Sequence, residues 1–459
     1  MTTLPNYFLA DLPPEATLTP AMVTEACQTL KRNREQYLST RSTDNLIGVL
    51  SKLARTWLEP DYPFRKLAFE QGPAATGFSQ ATLAKGLDTL FEQLTLENFH
   101  ALLDQDLGHV KRLDEISASD IEKEGGRASI VTAPEMLVHI GSGNLPNPTI
   151  LSMVLGLLLR SAQFVKYATG SSLLPRLFAH SLYEAEPKLG ACMEIAEWRG
   201  GNVELEKALF DEADCITATG NDETLAAIRR RLPGKTRFVG YGHRVSLAFV
   251  ASEGLSGSNA RGVVGRAASD VVAWNQQGCL SPHVIYVESG AGVDAEQFAG
   301  MLAEELERRE LSEPRGELPV AAAAAIASRR AVYEVRAAHS PDTRLWVSKD
   351  STAWTVVYEA DSRFQVSCLN RFIYVKRARD LTEVLQSADS VRGKVSTVGV
   401  AAPEVTAREL AKQLAGWGVT RVCPLGQMQN PPLTWRHDGR PALGDLVVWT
   451  DWERERDLS

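Results

Sequence analysis

The sequence predicts an α/β protein in which two doubly wound α/β domains follow a helical amino-terminal region. Three observations predict this fold class. Residues 1–125 are mainly helical in pattern, whereas short β-rich runs alternate with helical stretches from Arg127 onward. The alternation continues in a second block from about residue 246. Strands of four to six residues that alternate with helices indicate parallel sheets with crossover helices on both faces.

The helical region is predicted from the spacing of its apolar residues. Leu46, Leu50, Leu53 and Trp57 recur at helical intervals and would form one apolar face. Later residues of the region follow the pattern less clearly. We expect residues 1–125 to pack on a cofactor domain and to cover substrate, not to carry out chemistry.

The two α/β blocks are predicted from strand runs separated by helical stretches. The first block contains the runs MLVHI, QFVKY, EIAEW, DCITA and TRFVGY, with helices over 146–160, 171–187 and 222–231. A doubly wound nucleotide-binding sheet is its natural interpretation. The second contains VSLAFVA, HVIYVE, RLWVS, WTVVYE, RFIYV and STVGVA, with helices over 258–274, 294–309, 319–337, 380–389 and 405–417. We predict a cofactor domain over 126–245, a catalytic domain over 246–425 and a returning segment over 426–459.

Composition excludes several classes of protein. The net charge of −8 argues against a general nucleic-acid binder, which needs a basic surface. The six cysteines are scattered without a CxxC pair, so neither a zinc site nor a disulfide framework is expected. The longest apolar run, 150–159, is shorter than the about 20 residues that span a bilayer. No signal peptide is recognisable at the start. We therefore expect a cytoplasmic protein with no membrane span and no bound metal.

The segment WNQQGCLSPHVIYVE contains the sharpest candidate for chemistry. Cys279 lies in a loop after a helix and directly before a strand, and Gly278 allows a tight turn that leaves the sulfur open. A thiol at the end of an element can be activated by nearby dipoles and donors. The alternative is a buried structural cysteine, which is the commoner fate of a free thiol.

The segment HIGSGNLPNP joins a predicted strand to a long apolar helix. Asn144 would follow the carboxyl end of the strand, where folds of this class bind ligands, and its amide could donate to a developing oxyanion. Ser142 and Gly143 belong to the same turn, and we include them as cofactor contacts. The alternative for Asn144 is a plain turn or cap residue. The turn lacks GxGxxG, so a Rossmann phosphate loop of the usual kind is not supported.

Two further strand ends could contact a nucleotide. Lys166 ends a short buried strand, a dry place for a cation unless a cofactor ribose or phosphate partners it. A solvated strand-end lysine is the alternative. Gly220 and Asn221 join a strand to a helix, where free amides could face a pyrophosphate. The alternative there is an N-cap turn. The spacing in WRHDGRP does not decide between a loop that lines a site or an interface and a solvated loop.

Taken in order, HIGSGNLPNP, QQGCLSPHVIYVE and GQMQNPPLTWRHDGRPALGDLVVW resemble the acyl-CoA reductase (LuxC) family of the aldehyde dehydrogenase superfamily. The resemblance extends from about Glu135 to Trp452. It implies an aldehyde-dehydrogenase-like fold with a Rossmann-like cofactor domain and a catalytic domain. It also implies NADPH-dependent reduction of acyl-CoA or acyl-carrier thioesters to fatty aldehyde.

The resemblance also implies roles for matching residues. Cys279 is similar to the nucleophile, and Asn144 to the oxyanion-hole amide that acts with the backbone N–H of Cys279. Lys166 is similar to the lysine that contacts the adenosine ribose or its 2′-phosphate. Gly220 and Asn221 are similar to the Gly-Ser pair near the pyrophosphate, with Asn in place of Ser.

One departure from the superfamily pattern is informative. Hydrolytic members carry a glutamate that activates water in an E-x-G-G-K stretch, and the matching segment here, FVGYGHRVS, contains no carboxylate. Slow hydrolysis of the acyl-enzyme suits an enzyme that consumes thioesters. His243 or His283 could supply protons, or each could be an ordinary surface or core histidine.

Three other functions remain open from the sequence. The chain could be a CoA-acylating aldehyde dehydrogenase that works oxidatively. It could instead be an acyl-holding subunit of a fatty acid reductase complex, or a structural oligomerisation module. By resemblance we expect homo-oligomers and an acyl-protein synthetase as a partner.

Overall fold

The computed structural model describes residues 4–13, 15–141, 143, 145–255, 259–290 and 292–454. Within these residues the α-helices are α1 (Pro20–Tyr37), α2 (Thr43–Leu58), α3 (Pro63–Thr76), α4 (Gln80–Phe91), α5 (Leu96–Leu107), α6 (Asp120–Glu124), α7 (Asn147–Leu158), α8 (Leu173–Ala185), α9 (Pro187–Gly190), α10 (Val203–Glu212), α11 (Asp222–Arg229), α12 (Asn259–Val272), α13 (Ala295–Ser312), α14 (Val320–His339), α15 (Leu381–Ser387) and α16 (Glu404–Trp417). Short 3₁₀ helices cover Leu9–Asp11, Ser252–Leu255, Ala273–Gln276, Asp389–Val391 and His437–Gly439.

The strands of the described residues form three sheets. They are β1 (Arg127–Thr132), β2 (Met136–Ile140), β3 (Ala162–Tyr167), β4 (Met193–Glu197), β5 (Cys215–Thr219), β6 (Arg237–Tyr241), β7 (Val245–Val250), β8 (Pro282–Glu288), β9 (Thr343–Val347), β10 (Thr355–Glu359), β11 (Phe372–Ala378), β12 (Val395–Ala401), β13 (Arg421–Pro424) and β14 (Val448–Glu453). The chain groups into two compact units, each described by itself below. The first comprises 1–71, 87–242 and 432–459, and the second comprises 72–86 and 243–431.

The first unit contains a five-stranded parallel sheet in the order β4-β3-β2-β5-β6. One face of this sheet is buried against α1 and α10, in a core that includes Val23, Val138, Phe164 and Leu209. The chain builds outward from β2 in one direction and then restarts with β5 on the other side. This order is that of a Rossmann-like sheet, with its switch point between β2 and β5.

A separate two-stranded antiparallel ribbon in the first unit joins β1 to β14, pairing Arg127 with Glu453 and Thr132 with Val448. Neither strand was predicted from the sequence. All residues of β14 are exposed, so the strand has no buried face to give it an apolar pattern.

The second unit contains a seven-stranded sheet in the order β13-β12-β7-β8-β11-β10-β9. Helices cover both of its faces: α12 and α13 bury one, and α14, α15 and α16 bury the other. The α/β prediction with doubly wound sheets and a helical amino-terminal region is therefore confirmed. The edge strand β9 departs from the parallel pattern because it pairs antiparallel with β10.

None of the helices that the structure describes is long and apolar enough to cross a membrane. Across the same residues, no group of three or more His, Cys, Asp or Glu side chains is placed to hold a metal ion.

Candidate active site

The switch point of the first unit brings together the loops that follow β2 and β5. Parallel strands place their carboxyl ends at one edge of the sheet, and ligands of such folds bind there. Gly143 follows β2 at this edge, and Gly220 follows β5. Ser142 and Asn144, which the sequence predicts to contact cofactor and oxyanion, lie outside the described residues.

A buried histidine that was not predicted as a site residue joins the strands beneath these loops. His139 Nε2 lies 2.9 Å from Gln163 Oε1, and His139 Nδ1 lies 2.7 Å from Thr217 Oγ1. Gln163 Nε2 donates to Met153 O at 3.0 Å. Because the oxygen of Gln163 can only accept, this network assigns the imidazole proton to Nε2. Burial lowers the pKa of His139 to about 4, so the ring is neutral near pH 7.

Lys166 lines a cavity of about 310 Å³ in the first unit. Its side chain is buried, so the solvated alternative does not hold. Burial lowers the pKa of Lys166, and nearby Glu206 acts in the opposite direction. The ammonium lies 5.7 Å from the ring centroid of Trp198. The cavity falls within the range of small-molecule sites, roughly 300–1,000 Å³.

Gly220 and Asn221 form the turn between β5 and α11. Asn221 Oδ1 accepts the Thr224 backbone N–H at 2.8 Å and so caps the helix, as the N-cap alternative predicts. The Gly220 N–H donates to Tyr241 O at 3.2 Å. Thr224, in the first turn of the helix, lines the same cavity as Lys166. The structure therefore places this turn beside the cavity, with the Gly220 N–H and the Asn221 side-chain oxygen already partnered.

Cys279 lies on a turn directly before β8 in the second unit. It is exposed, whereas Gly278 and Leu280 on either side are buried. The Ser281 N–H donates to Gly278 O at 3.0 Å and closes the turn. The alternative of a buried structural cysteine therefore does not hold. An exposed thiol with buried neighbours can meet a substrate while its backbone stays fixed.

Ser246 fixes the backbone of Cys279 from the neighbouring strand. Its hydroxyl donates to Cys279 O at 2.7 Å and accepts the Thr397 N–H at 3.2 Å. Ser246 is fully buried, and the pairing register shifts beside it in both β8 and β12. Such irregularities re-aim backbone groups near functional sites. Ser246 was not predicted as a site residue, because a serine within VSLAFVA carries no distinguishing signal.

The segment before the turn adopts a backbone that bulky residues rarely take. Trp274, Asn275 and Gln276 have positive φ values of 49°, 50° and 65°. Asn275 compensates because its side chain donates to Arg315 O at 2.8 Å and accepts from Arg371 Nε at 3.0 Å. Tertiary hydrogen bonds thus hold a conformation that local propensity disfavours.

The indole of Trp274 packs against residues 72–86, the amino-terminal segment that belongs to the second unit. Its ring meets Phe78 edge-on at 5.2 Å between centroids. A Cβ atom at Gly86 on α4 would overlap the indole, so only glycine fits there without movement.

A loop after β13 also reaches the turn of Cys279. Gln429 Nε2 donates to Ser281 Oγ, two residues beyond the cysteine. Asp270 on α12 holds this loop by accepting the N–H groups of Gly426 and Met428. Burial raises the pKa of Asp270 to about 7.

Arg421 adds a positive charge beside this loop. Its guanidinium donates to Met428 O at 2.6 Å and to Gln427 O at 2.8 Å. Burial lowers the pKa of Arg421, while Cys423, Asp270 and Cys279 act against the lowering. A cation within electrostatic reach favours the thiolate form of a cysteine.

His283, one of the two predicted proton donors, is a core residue. Its Nδ1 accepts the Ser367 backbone N–H at 3.0 Å, and burial lowers its pKa to about 4. A neutral ring that already accepts a hydrogen bond fits the core-histidine alternative.

The carboxyl-terminal loop that the sequence leaves undecided packs on β6 within the first unit. His437 stacks on Tyr241 at 4.2 Å between ring centroids, and Trp435 lies 4.6 Å from His437. Arg440 covers Tyr241 and donates to Gly240 O at 2.9 Å. The loop is therefore ordered by ring packing and is not merely solvated.

The described residues adopt an aldehyde-dehydrogenase-like fold. A bifunctional proline utilization A (PutA) protein is similar with a TM-score of 0.71 and 16% identity, over 96% of this chain and 45% of that one. A putative aldehyde dehydrogenase PutA from Anabaena variabilis gives a TM-score of 0.70 and 14% identity, covering 97% and 95%. The NADP-dependent glyceraldehyde-3-phosphate dehydrogenase from Bacillus halodurans C-125 gives 0.69 and 15%, covering 95% and 92%. These identities establish the fold alone.

The family is more specific than the fold. The acyl-CoA reductase (LuxC) family model matches residues 38–449, and the chain belongs to that family. A long-chain acyl-protein thioester reductase from Photorhabdus luminescens is 22% identical over 419 residues, covering 89% of this chain and 82% of that protein. One of the same name from Vibrio harveyi is 20% identical over 426 residues, covering 91% and 84%. The predicted family membership is thereby confirmed.

Proposed function

We propose that this protein reduces fatty acyl thioesters, presented by CoA or by an acyl carrier, to fatty aldehydes with NADPH. The reaction proceeds through an acyl group bound to Cys279. The observation that carries the proposal is the exposed thiol of Cys279 on a hydrogen-bonded turn with buried neighbours. The relatives named long-chain acyl-protein thioester reductase support the substrate class.

The first half of the reaction uses the cysteine as a nucleophile. The Cys279 thiolate attacks the thioester carbonyl carbon, a new C–S bond forms, and the donor's sulfur leaves as a thiolate. By resemblance, Asn144 and the backbone N–H of Cys279 stabilise the oxyanion. One such donor typically contributes about 100- to 1,000-fold in rate. Ser246 contributes by holding the Cys279 carbonyl, and hence the turn, in place.

The second half releases the aldehyde. When bound, NADPH supplies the hydride that reduces the acyl carbonyl on Cys279. The C–S bond to Cys279 then breaks, which frees the aldehyde and returns the thiolate. The segment FVGYGHRVS, which spans β6 and the start of β7, offers no carboxylate to activate water. Hydrolysis of the acyl-cysteine is therefore slow, and the acyl group persists until it is reduced.

The first unit supports a dinucleotide cofactor through its cavity. Lys166 is a buried cation in this cavity, and buried cations need an anionic or strongly polar partner. A 2′-phosphate or ribose would supply that partner. The carboxyl edge of the sheet carries Gly143, Gly220 and Asn221. We propose that these three residues and Ser142 contact the rest of the cofactor.

We also propose an assembly and a location. The names of the relatives refer to acyl groups held on a protein, so an acyl-protein synthetase is the expected partner. Homo-oligomerisation and a cytoplasmic location are proposed from the family resemblance.

Intact-protein mass spectrometry tests the central step. Wild-type protein incubated with a long-chain acyl-CoA should gain one acyl mass, and NADPH should then remove that mass and release aldehyde. Cys279→Ala should gain none. Cys368→Ala is the matched control, because Cys368 is half-buried and burial raises the pKa of its thiol. An acyl adduct that persists in Cys279→Ala would refute the proposal.

Two assays separate the alternatives. Comparing the rate with aldehyde, CoA and NADP⁺ against the rate with acyl-CoA and NADPH determines the working direction. An acyl-holding subunit would acylate Cys279 yet give no fluorescence change on titration with NADPH.

A further inference from the structure

The cavity beside Lys166 contains three charged side chains in an otherwise largely apolar lining. They are Lys166 at the end of β3, Glu206 on α10 and Arg231 after α11. The apolar lining comes from Ile140, Trp198, Leu209, Phe210, Ala227 and Ile228. A charged group in such surroundings is costly unless it is paired, so the pairing pattern shows which charge is left for a ligand.

Among the residues that the structure describes, Lys166 is the charged side chain of this cavity whose ammonium makes no hydrogen bond or ion pair. The residue is 7% exposed, and the ring centroid of Trp198 lies 5.7 Å from its ammonium. The backbone of Gly200 passes close by, since a Cβ atom there would lie 3.9 Å from Lys166 Nζ. The lysine is therefore available to a ligand anion at this end of the cavity.

Each carboxylate oxygen of Glu206 already accepts a hydrogen bond from within the protein. It is also 7% exposed; Oε1 accepts the Gly201 N–H at 2.7 Å, and Oε2 accepts from the guanidinium of Arg231. A carboxylate in this position would otherwise accept a ribose 2′-hydroxyl and repel a 2′-phosphate. The ion pair with Arg231 removes that free carboxylate.

We propose that Arg231 sets the preference for a 2′-phosphorylated dinucleotide by neutralising Glu206 in the cavity that Lys166 lines. The inference rests on the proposed NADPH-dependent function and adds a specificity-determining residue to it. With Arg231 present, two positive charges face one negative charge, and a net positive charge remains for the phosphate. Without Arg231 the charges of Lys166 and Glu206 cancel, and the freed carboxylate favours a 2′-hydroxyl.

Titration of the full-length protein with NADPH and with NADH tests the inference through binding alone. Arg231→Gln should weaken NADPH binding relative to NADH by about tenfold, which corresponds to about 1.4 kcal/mol. Arg230→Gln is the matched control, because Arg230 is an exposed neighbour that does not line the cavity. Its ratio of the two affinities should equal that of the wild type.

A second variant tests the role of the carboxylate. In the Glu206→Gln, Arg231→Gln double variant the side chain at position 206 can still accept the Gly201 N–H but carries no charge. It should recover the preference for NADPH.

The outcomes separate this inference from the proposed function. An unchanged affinity ratio in Arg231→Gln would overturn the role of Arg231 while NADPH binding by the wild type leaves the function standing. A double variant that behaves like Arg231→Gln would overturn the role of Glu206. A wild-type protein that binds neither dinucleotide would overturn the proposed function, and this inference with it.

Discussion

Replacement of Ser246 with alanine should damage both the stability of the second unit and the reactivity of Cys279. The Ser246 hydroxyl donates to Cys279 O at 2.7 Å and accepts the Thr397 N–H at 3.2 Å, and the residue is fully buried. Alanine leaves a strand N–H without its acceptor and the Cys279 carbonyl without this donor. A buried group left unsatisfied costs about 1–3 kcal/mol. We therefore expect the free energy of unfolding to fall by about 2 kcal/mol.

The effect on chemistry follows from the loss of restraint on the turn. If the displaced carbonyl raises the barrier to acylation by about 1.4 kcal/mol, the rate falls about tenfold. Quenched-flow mass spectrometry of the acylated protein measures that rate, and urea denaturation measures the stability. Both are compared at a temperature where each variant is folded.

Ser396→Ala is the matched control for this prediction. Ser396 is also fully buried and precedes Thr397 on β12, but its hydroxyl has no hydrogen-bond partner among the described residues. Because this substitution breaks no hydrogen bond, the free energy of unfolding should not fall, and the acylation rate should stay unchanged. An acylation rate in Ser246→Ala equal to that of the wild type would refute the positioning role. Equal damage by both substitutions would do the same.

Two further predictions concern buried titratable groups. His139 has a folded-state pKa of about 4 against the ordinary histidine pKa of 6.5, so the stability it contributes is present above pH 6.5 and lost as the pH falls towards 4. The free energy of unfolding lost in this way is roughly 3 kcal/mol. Between pH 7 and pH 4 the urea midpoint should therefore fall less in His139→Gln than in the wild type. An equal fall in both proteins would contradict the lowered pKa of His139. Asp270→Asn removes one of the two carboxylate oxygens that accept hydrogen bonds from the loop after β13. The backbone amides of Gly426 and Met428 should therefore exchange hydrogen faster than in the wild type. Unaltered exchange would show that Asp270 does not hold this loop.

Local patterns account for most of the secondary structure. The strand runs of the first block correspond to β2–β6, because each is a short apolar segment bounded by turn residues. The helix expected over 222–231 occurs as Asp222–Arg229. The ribbon of β1 and β14 was not predicted because its pairing joins distant parts of the chain and β14 has no buried face. The antiparallel direction of β9 likewise depends on its sheet neighbour and not on its own residues.

Some features of the candidate site could likewise be predicted from local sequence, and others depend on contacts between distant residues. The glycine before Cys279 and the strand after it predict an exposed turn, and the structure has one. The positive φ values of Trp274, Asn275 and Gln276 could not be predicted, because they depend on hydrogen bonds from residues distant in the chain. Ser246 was missed for a similar reason, since its importance lies in where neighbouring strands bring its hydroxyl. The ion pair of Glu206 and Arg231 also joins two separate helical segments.

The close fit of Trp274 over Gly86 limits how this protein can be divided for experiments. A fragment that begins at His243 would retain the turn of Cys279. It would lack Phe78 and Gly86 on α4, which contact the indole of Trp274. The indole of Trp274 would then be exposed to water, and the positive-φ backbone of residues 274–276 would lose part of the packing that supports it. An expression fragment meant to preserve the nucleophile should therefore carry residues 72–86 together with 243–431, for example joined by a flexible linker.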